Sequence, residues 1–73
     1  MKRITAITIY KSFEGGFWSL EAEEKYLPVN FPEQLKTEGI KVDCVIALLK
    51  DVDTIFNWGQ PCRIISFKTP QVI

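Results

Sequence analysis

Residues 26–48, YLPVNFPEQLKTEGIKVDCVIAL, decide the fold. The stretch reads as strand, short capped helix and long strand in quick succession. Asn30 is placed to cap a helix N-terminus, Glu33 sits three residues later in the capping-box position, and Pro32 falls in the first turn, where its missing N–H costs little. Gly39 supplies a left-handed stop. Only about two turns fit between these signals, with Leu35 pointing inward, so the helix is expected to plug a core rather than span one. Ile40, Val42, Cys44, Ile46 and Leu48 then alternate with Lys41 and Asp43. Val45, Ala47 and Leu49 make the second half of this strand apolar on both faces.

Upstream, Lys2 to Lys11 is rich in Ile and Thr and reads as a strand whose apolar positions change parity between Ala6 and Ile7. A bulge there, or burial on both faces of a strongly coiled strand, would account for the change, and a long bent strand suits a small closed barrel. Gly15 and Gly16 mark a turn. In FWSLEA, Trp18, Leu20 and Ala22 share one face of a second strand. Glu21 to Glu24 reads as a hairpin tip leading to a third strand over Lys25 to Val29. Downstream, KDVDTIFNWGQP reads as a long or partly stranded loop, and Arg63 to Lys68 as the final strand.

The element order is strand, strand, strand, short helix, strand, strand. The expectation is a mostly β single domain over residues 1–73, a small five-stranded OB-like barrel with one short helix between strands 3 and 4. An SH3-like barrel or a rolled sheet is the competing architecture.

At 73 residues the chain is near the lower limit at which one hydrophobic core outweighs chain entropy without a metal or disulfides. Hydrophobic residues at 47% and charged residues at 25% are globular proportions, against disorder. Nine basic residues balance nine acidic ones, so no net field gathers phosphate backbones or anionic lipid, and a generic nucleic-acid binder is disfavoured. The segment MKRITAITIYKSF lacks the apolar run of a signal peptide. The apolar run Val45 to Leu49 is far too short for a membrane span. The expectation is a cytoplasmic protein without membrane association.

No histidine is present, which removes histidine triads, histidine general bases and imidazole ligation. Cys44 and Cys62 have no CxxC spacing, fall inside strand patterns, and read as reduced structural thiols rather than zinc ligands or nucleophiles. Glu21, Glu23 and Glu24, or Asp51 and Asp53, lack the spacing of an EF-hand loop and read as solvated turn acids. Gly15-Gly16 is followed by neither a Lys-Ser or Lys-Thr pair nor a helix, so it is no phosphate-binding loop. No cofactor, metal or catalytic residue is expected.

Nine aromatic residues are many for this length. Trp18, Phe31 and Phe67 are explained by the need to fill a barrel. Phe13 and Phe17 flank the connection between the first two strands, and Phe56 and Trp58 that between the last two, the loops through which OB folds commonly bind ligands. These four form the candidate binding surface. Aromatic stacking on single-stranded nucleic acid needs a cationic groove, so a protein or peptide partner suits a neutral chain better. Single-stranded nucleic acid through the OB face is the alternative. The bland reading has Trp58 closing the barrel end, with Gly59 turning the chain beneath it.

Gly16-Phe17, the run Tyr26-Leu27-Pro28-Val29-Asn30-Phe31-Pro32-Glu33, then Lys36, Gly39-Ile40, Val42, Trp58-Gly59 and Pro61 resemble a family of small, uncharacterised prokaryotic OB-like β-barrel domains with a GFYGI, KYLPINLPEEFK, DGLRV and MWGTPVEI pattern. The resemblance covers most of the chain from Gly15 to Phe67. It implies an OB-like or similar small barrel, occurring alone or attached to secreted and lipoprotein segments, and carries no activity with it. This chain departs from the pattern with Phe31 for leucine, Leu35 for an aromatic, and Phe56-Asn57 where histidine and methionine often sit.

Overall fold

The computed structural model describes residues 1–50 and 58–69. Five strands follow one another: β1 (Lys2–Lys11), β2 (Phe17–Glu21), β3 (Lys25–Pro28), β4 (Lys41–Leu48) and β5 (Gln60–Lys68), with a short 3-10 turn at Glu33–Leu35 between β3 and β4. They close into one sheet in the order β1-β2-β3-β5-β4, with β4 returning to β1. Four of the seams are antiparallel, and β3 runs parallel to β5. Closure removes most of the exposed strand edge that a five-stranded open sheet would present. Among the described residues no helix is long and apolar enough to cross a membrane.

β1 achieves closure by serving two neighbours. Lys2 to Ile7 pair with β4, and Ile7 to Lys11 pair with β2. Neither ladder slips in β1, so of the two accounts of its parity change the bulge between Ala6 and Ile7 is absent. Instead Ile4, Ala6 and Thr8 face the core in strict alternation while Ile7 and Ile9 lie on the outer face. The bulge sits on β5: Ile46 pairs with Ile64 and Val45 with Ser66, leaving Ile65 as the extra residue. That shift turns Phe67 to the side of Cys44, yet Phe67 is 37% exposed rather than core.

The core is built from Ile4, Ala6, Leu20, Tyr26, Leu35, Val42, Cys44, Ile46, Cys62 and Ile64, with Phe31 and Ile40 against it. The β4 alternation supplies three of these, as its pattern predicts. Leu48, read as a fourth, is 46% exposed. Cys44 and Cys62 are free and buried. Burial pushes their thiols up to about 11 and about 12 respectively, which keeps them protonated and unreactive at neutral pH.

The expected two-turn helix is a correction. Only Glu33 to Leu35 turn, held by Leu35 N–H to Pro32 O at 3.0 Å and Lys36 N–H to Glu33 O at 3.1 Å. Pro32, not Asn30, occupies the cap position, and no side chain caps it. Glu33 pairs with Lys36 at 2.9 Å instead of closing a capping box. So short a segment gains too few i→i−4 bonds to offset helix nucleation. What holds the connection is Leu35, which is fully buried, a contribution of about 1.5–3 kcal/mol. It is the inward plug the sequence predicts, on a tighter scaffold.

Beyond the turn, Gly39 takes φ +82° as a left-handed stop, and the chain is strapped to β1 by the Tyr10 N–H, which donates to Glu38 Oε2 at 2.6 Å, and by Thr8. The Thr8 hydroxyl donates to the Thr37 carbonyl and accepts from the Ile40 N–H, while the Thr8 carbonyl accepts from the Gly39 N–H. Thr8 is fully buried, and these bonds meet the requirement that a buried hydroxyl be paired.

Candidate binding surface

Strand alternation on β2 sends Phe17 and Trp18 to opposite faces of the sheet. Trp18 shares the core side with Leu20. There it meets its cross-strand partner Tyr10 edge-on at 5.3 Å and stacks on Phe31 at 5.7 Å. Gly16 makes room for this set: at φ +90°, a Cβ there would stand 2.0 Å from the Tyr10 hydroxyl.

Phe17 lies on the outer side with Ser19 and Glu21. It is 7% exposed but stands apart from the main core cluster. Its cover comes from both flanking loops. Phe13 meets it edge-on, with ring centroids 5.3 Å apart and planes at 88°, and Trp58 packs against it at 5.4 Å. Phe13 is 48% exposed, and Trp58 is half-buried. Three of the four expected residues are therefore brought together as one aromatic row, Phe13, Phe17 and Trp58. Phe56 lies outside the described residues, as do Asp51 and Asp53.

Two lysines attend the row. Lys11 is opposite Phe17 in the β1–β2 ladder, and its ammonium lies 5.4 Å from the Trp58 ring centroid, with that of Lys25 at 5.8 Å. Contacts of this kind are worth about 0.5–1 kcal/mol each at partly exposed positions. Lys11 is also held by Glu21, Nζ to Oε2 at 2.8 Å. That contact is Coulombic, since this Oε2 atom, shut away from solvent, meets no donor in hydrogen-bonding geometry. Lys11 is thus neutralised, and among the described residues Lys25, over the same indole ring, has no ion pair.

Trp58 is positioned by the turn behind it. Gly59 adopts φ +66°, and a Cβ there would come within 3.0 Å of the Lys25 carbonyl oxygen. The chain passes close against the start of β3, and Gln60 pairs at once with Tyr26. The turning role assigned to Gly59 holds, but Trp58 lies over Phe17 on the outer face rather than plugging the barrel end.

Sequence reasoning overlooked Lys11 and Lys25, whose charges read as scattered. The available signal was the register: a hairpin through Gly15-Gly16 sets Lys11 against Phe17. The approach of Lys25 to Trp58 depends on β3 pairing with β5 and had no local signal.

No protein-family model matches the chain, and neither the curated proteins nor the solved structures give a match. The reading of the site rests on its own geometry.

Proposed function

We propose that the closed sheet is an OB-like barrel and that the domain is a noncatalytic, cytoplasmic binding module for a protein or peptide partner. The observation that carries this reading is the convergence of Phe13 and Trp58, from two separate connections, on Phe17. A partly exposed cluster of aromatic rings is the kind of feature from which protein contacts draw much of their energy, and Lys25 fits the polar rim around it. The strand order supports the OB-like architecture, since the two contributing connections flank β2 and β5 as the binding loops of that fold do.

The test is panning of a random peptide library on the immobilised domain, followed by titration of selected peptides against Phe13→Ala. Phe13 is half exposed, so its removal leaves the fold standing, and an interface anchor at this position costs at least 1 kcal/mol of binding, about fivefold in Kd or more. Undiminished binding by both Phe13→Ala and Trp58→Ala removes the basis of the reading.

A second reading, single-stranded nucleic acid on the same face, is favoured by the two lysines at the Trp58 ring. Base stacking with a flanking cation is how such surfaces work. A fluorescence titration with short oligonucleotides at low salt decides it, and no change at high micromolar oligonucleotide ends it.

A further inference from the structure

β1 changes partners half-way along, and among the described residues this leaves one of its edges without a strand over its first half. The Thr8 N–H donates to the Ile40 carbonyl at 2.9 Å, so the even-numbered residues of β1 turn their backbone polar groups toward β4 and the odd-numbered ones toward β2. Thr5 and Asp43 form a non-hydrogen-bonded pair in the same ladder, their side chains joined at 2.6 Å. β2, however, ends at Glu21 opposite Ile7. The chain then turns away through Ala22 to Glu24, with the Ala22 N–H bonded to the Glu24 carbonyl at 2.9 Å. Among the described residues, the backbone N–H and C=O groups of Arg3 and Thr5 consequently face a groove rather than a strand.

That groove, of about 380 Å³, lies between Lys2–Thr5 of β1 on one side and Ala22, Glu23, Glu24 and Tyr26 on the other. Such a volume falls in the range of about 300–1,000 Å³ typical of ligand sites. Its walls are oppositely charged. Lys2 is committed: its ammonium donates to the Tyr26 hydroxyl at 3.1 Å, which donates on to Glu24 Oε2 at 3.3 Å. Among the described residues, Arg3 and Glu23 have no ion pair.

We propose that this groove takes an extended segment of a partner protein as an added strand on β1, one that turns a carboxylate to Arg3 and a cationic side chain to Glu23. Strand addition at an open edge draws its affinity from main-chain bonds, here with Arg3 and Thr5, and its selectivity from flanking side chains. The exposed edge of four residues spans about 13 Å, matching a segment of four or five residues. A second copy of the domain is the poorer occupant. Antiparallel pairing about Ile4 would gather Lys2 and Arg3 of both copies beside the two-fold axis, where like charges repel. The proposal is independent of the aromatic row, none of whose rings lines this groove and whose Phe17 sits opposite Lys11 at the other end of the β1–β2 ladder.

The experiment is a titration of the 15N-labelled full chain with a blocked hexapeptide of alternating valine and threonine carrying one glutamate and one lysine. A control peptide has alternate backbone amides methylated. The expected result is amide shift changes centred on Arg3, Thr5 and Glu23, at least tenfold weaker binding of the methylated peptide, and about fivefold weaker binding to Arg3→Glu, the size of an exposed charge pair. Thr5→Pro, which removes an N–H the β4 ladder does not use, abolishes the shifts while keeping a folded spectrum. If that variant unfolds, Arg3→Glu and the methylated peptide decide alone. Shifts confined to Phe13, Lys25 and Trp58, no shifts at millimolar peptide, or equal binding of both peptides overturn the proposal. So does a concentration-dependent rise in sedimentation mass with shifts at Arg3 and Thr5 before peptide is added, which would assign the edge to a second copy.

Discussion

The side-chain amide of Asn30 is bonded at both of its ends to the backbone of Ile64: Nδ2 donates to the Ile64 carbonyl at 2.9 Å, and Oδ1 accepts from the Ile64 N–H at 2.8 Å. It behaves as a surrogate peptide group. The parallel seam between β3 and β5 holds only three residue pairs, Tyr26 with Gln60, Leu27 with Pro61 and Pro28 with Cys62. The Val29 N–H, bonded to the Cys62 carbonyl at 2.8 Å, and then the Asn30 side chain carry the ladder onward where the backbone departs.

Asn30→Ala should therefore loosen the seam that closes the sheet. Losing both bonds and leaving the Ile64 backbone unsatisfied costs about 1–3 kcal/mol, read as a lower urea midpoint and a melting temperature lower by about 4–8 °C per kcal/mol. Asn30→Asp should do no better than alanine at neutral pH, because a carboxylate oxygen replaces the donor facing the Ile64 carbonyl. A stability equal to wild type for either variant would contradict the surrogate role.

Thr8→Val keeps the shape of the side chain and removes the hydroxyl that joins Thr37 to Ile40. The expected cost is about 1–3 kcal/mol, since the buried Ile40 N–H loses its acceptor. The amide of Ile40 should exchange faster with solvent than in the wild type, while that of Ile46, buried six residues further along in β4, keeps pace with global unfolding.

Gly16→Ala should disturb the aromatic set on the core side. The position needs φ +90°, and the added Cβ would overlap the Tyr10 hydroxyl, so Tyr10 must leave Trp18. Backbone strain alone costs about 1–3 kcal/mol. Near-ultraviolet circular dichroism should lose intensity, and the double variant Tyr10→Phe, Gly16→Ala should recover part of the stability by removing the overlapping oxygen.

Alkaline pH should destabilise the domain. Burial raises both thiols, Cys44 to about 11 and Cys62 to about 12, from an ordinary 9.0. The folded chain keeps protons that the unfolded chain releases, so this contribution is complete below pH 9 and is lost as pH rises toward 11 and 12. Each thiol can contribute a slope of up to about 1.4 kcal/mol per pH unit within that window. The Lys2 ammonium, raised chiefly by its hydrogen bond to Tyr26, acts in the same direction. Urea midpoints at pH 9, 10 and 11 should fall, and fall less steeply in the Cys44→Ala, Cys62→Ala double variant. A flat profile, or rapid modification of the folded protein by a thiol reagent at pH 8, would count against buried reduced cysteines.

Much of the secondary structure was legible along the chain. The alternation from Ile40 placed β4, the Gly15-Gly16 turn and acidic tip bounded β2, and Leu35 announced itself as the inward residue of its connection. The candidate site was legible only in part: Phe13, Phe17 and Trp58 do converge, but the two lysines at the indole were invisible. The misreadings share a cause. Asn30 looks like a helix cap because a side-chain amide can serve the local N–H of a first turn, yet here it serves a backbone 34 residues away. The parity change in β1 admitted either a bulge or burial on both faces, because neighbours decide which face is buried, and β1 has two of them in succession.

Gln60 shows the same limit at smaller scale. Pro61 faces Leu49 at the start of the β4–β5 ladder and cannot return the bond that the Leu49 N–H makes to its carbonyl at 3.0 Å. The Gln60 side chain supplies the missing donor, Nε2 to the Leu49 carbonyl at 3.0 Å. Nothing in the local string Gly59-Gln60-Pro61 reveals that need.

The amino-acid sequence by itself determined the strands, their order, the turns at its glycines and the absence of histidine chemistry. These depend on periodicity, backbone freedom and side-chain inventory, all of which act over a few residues. The parallel β3–β5 seam, the Asn30 bridge, the lysines at Trp58 and the open edge at Arg3 and Thr5 were decided only by tertiary structure. Each depends on which distant backbone groups remain unpaired once the sheet closes, and closure is a property of all five strands together.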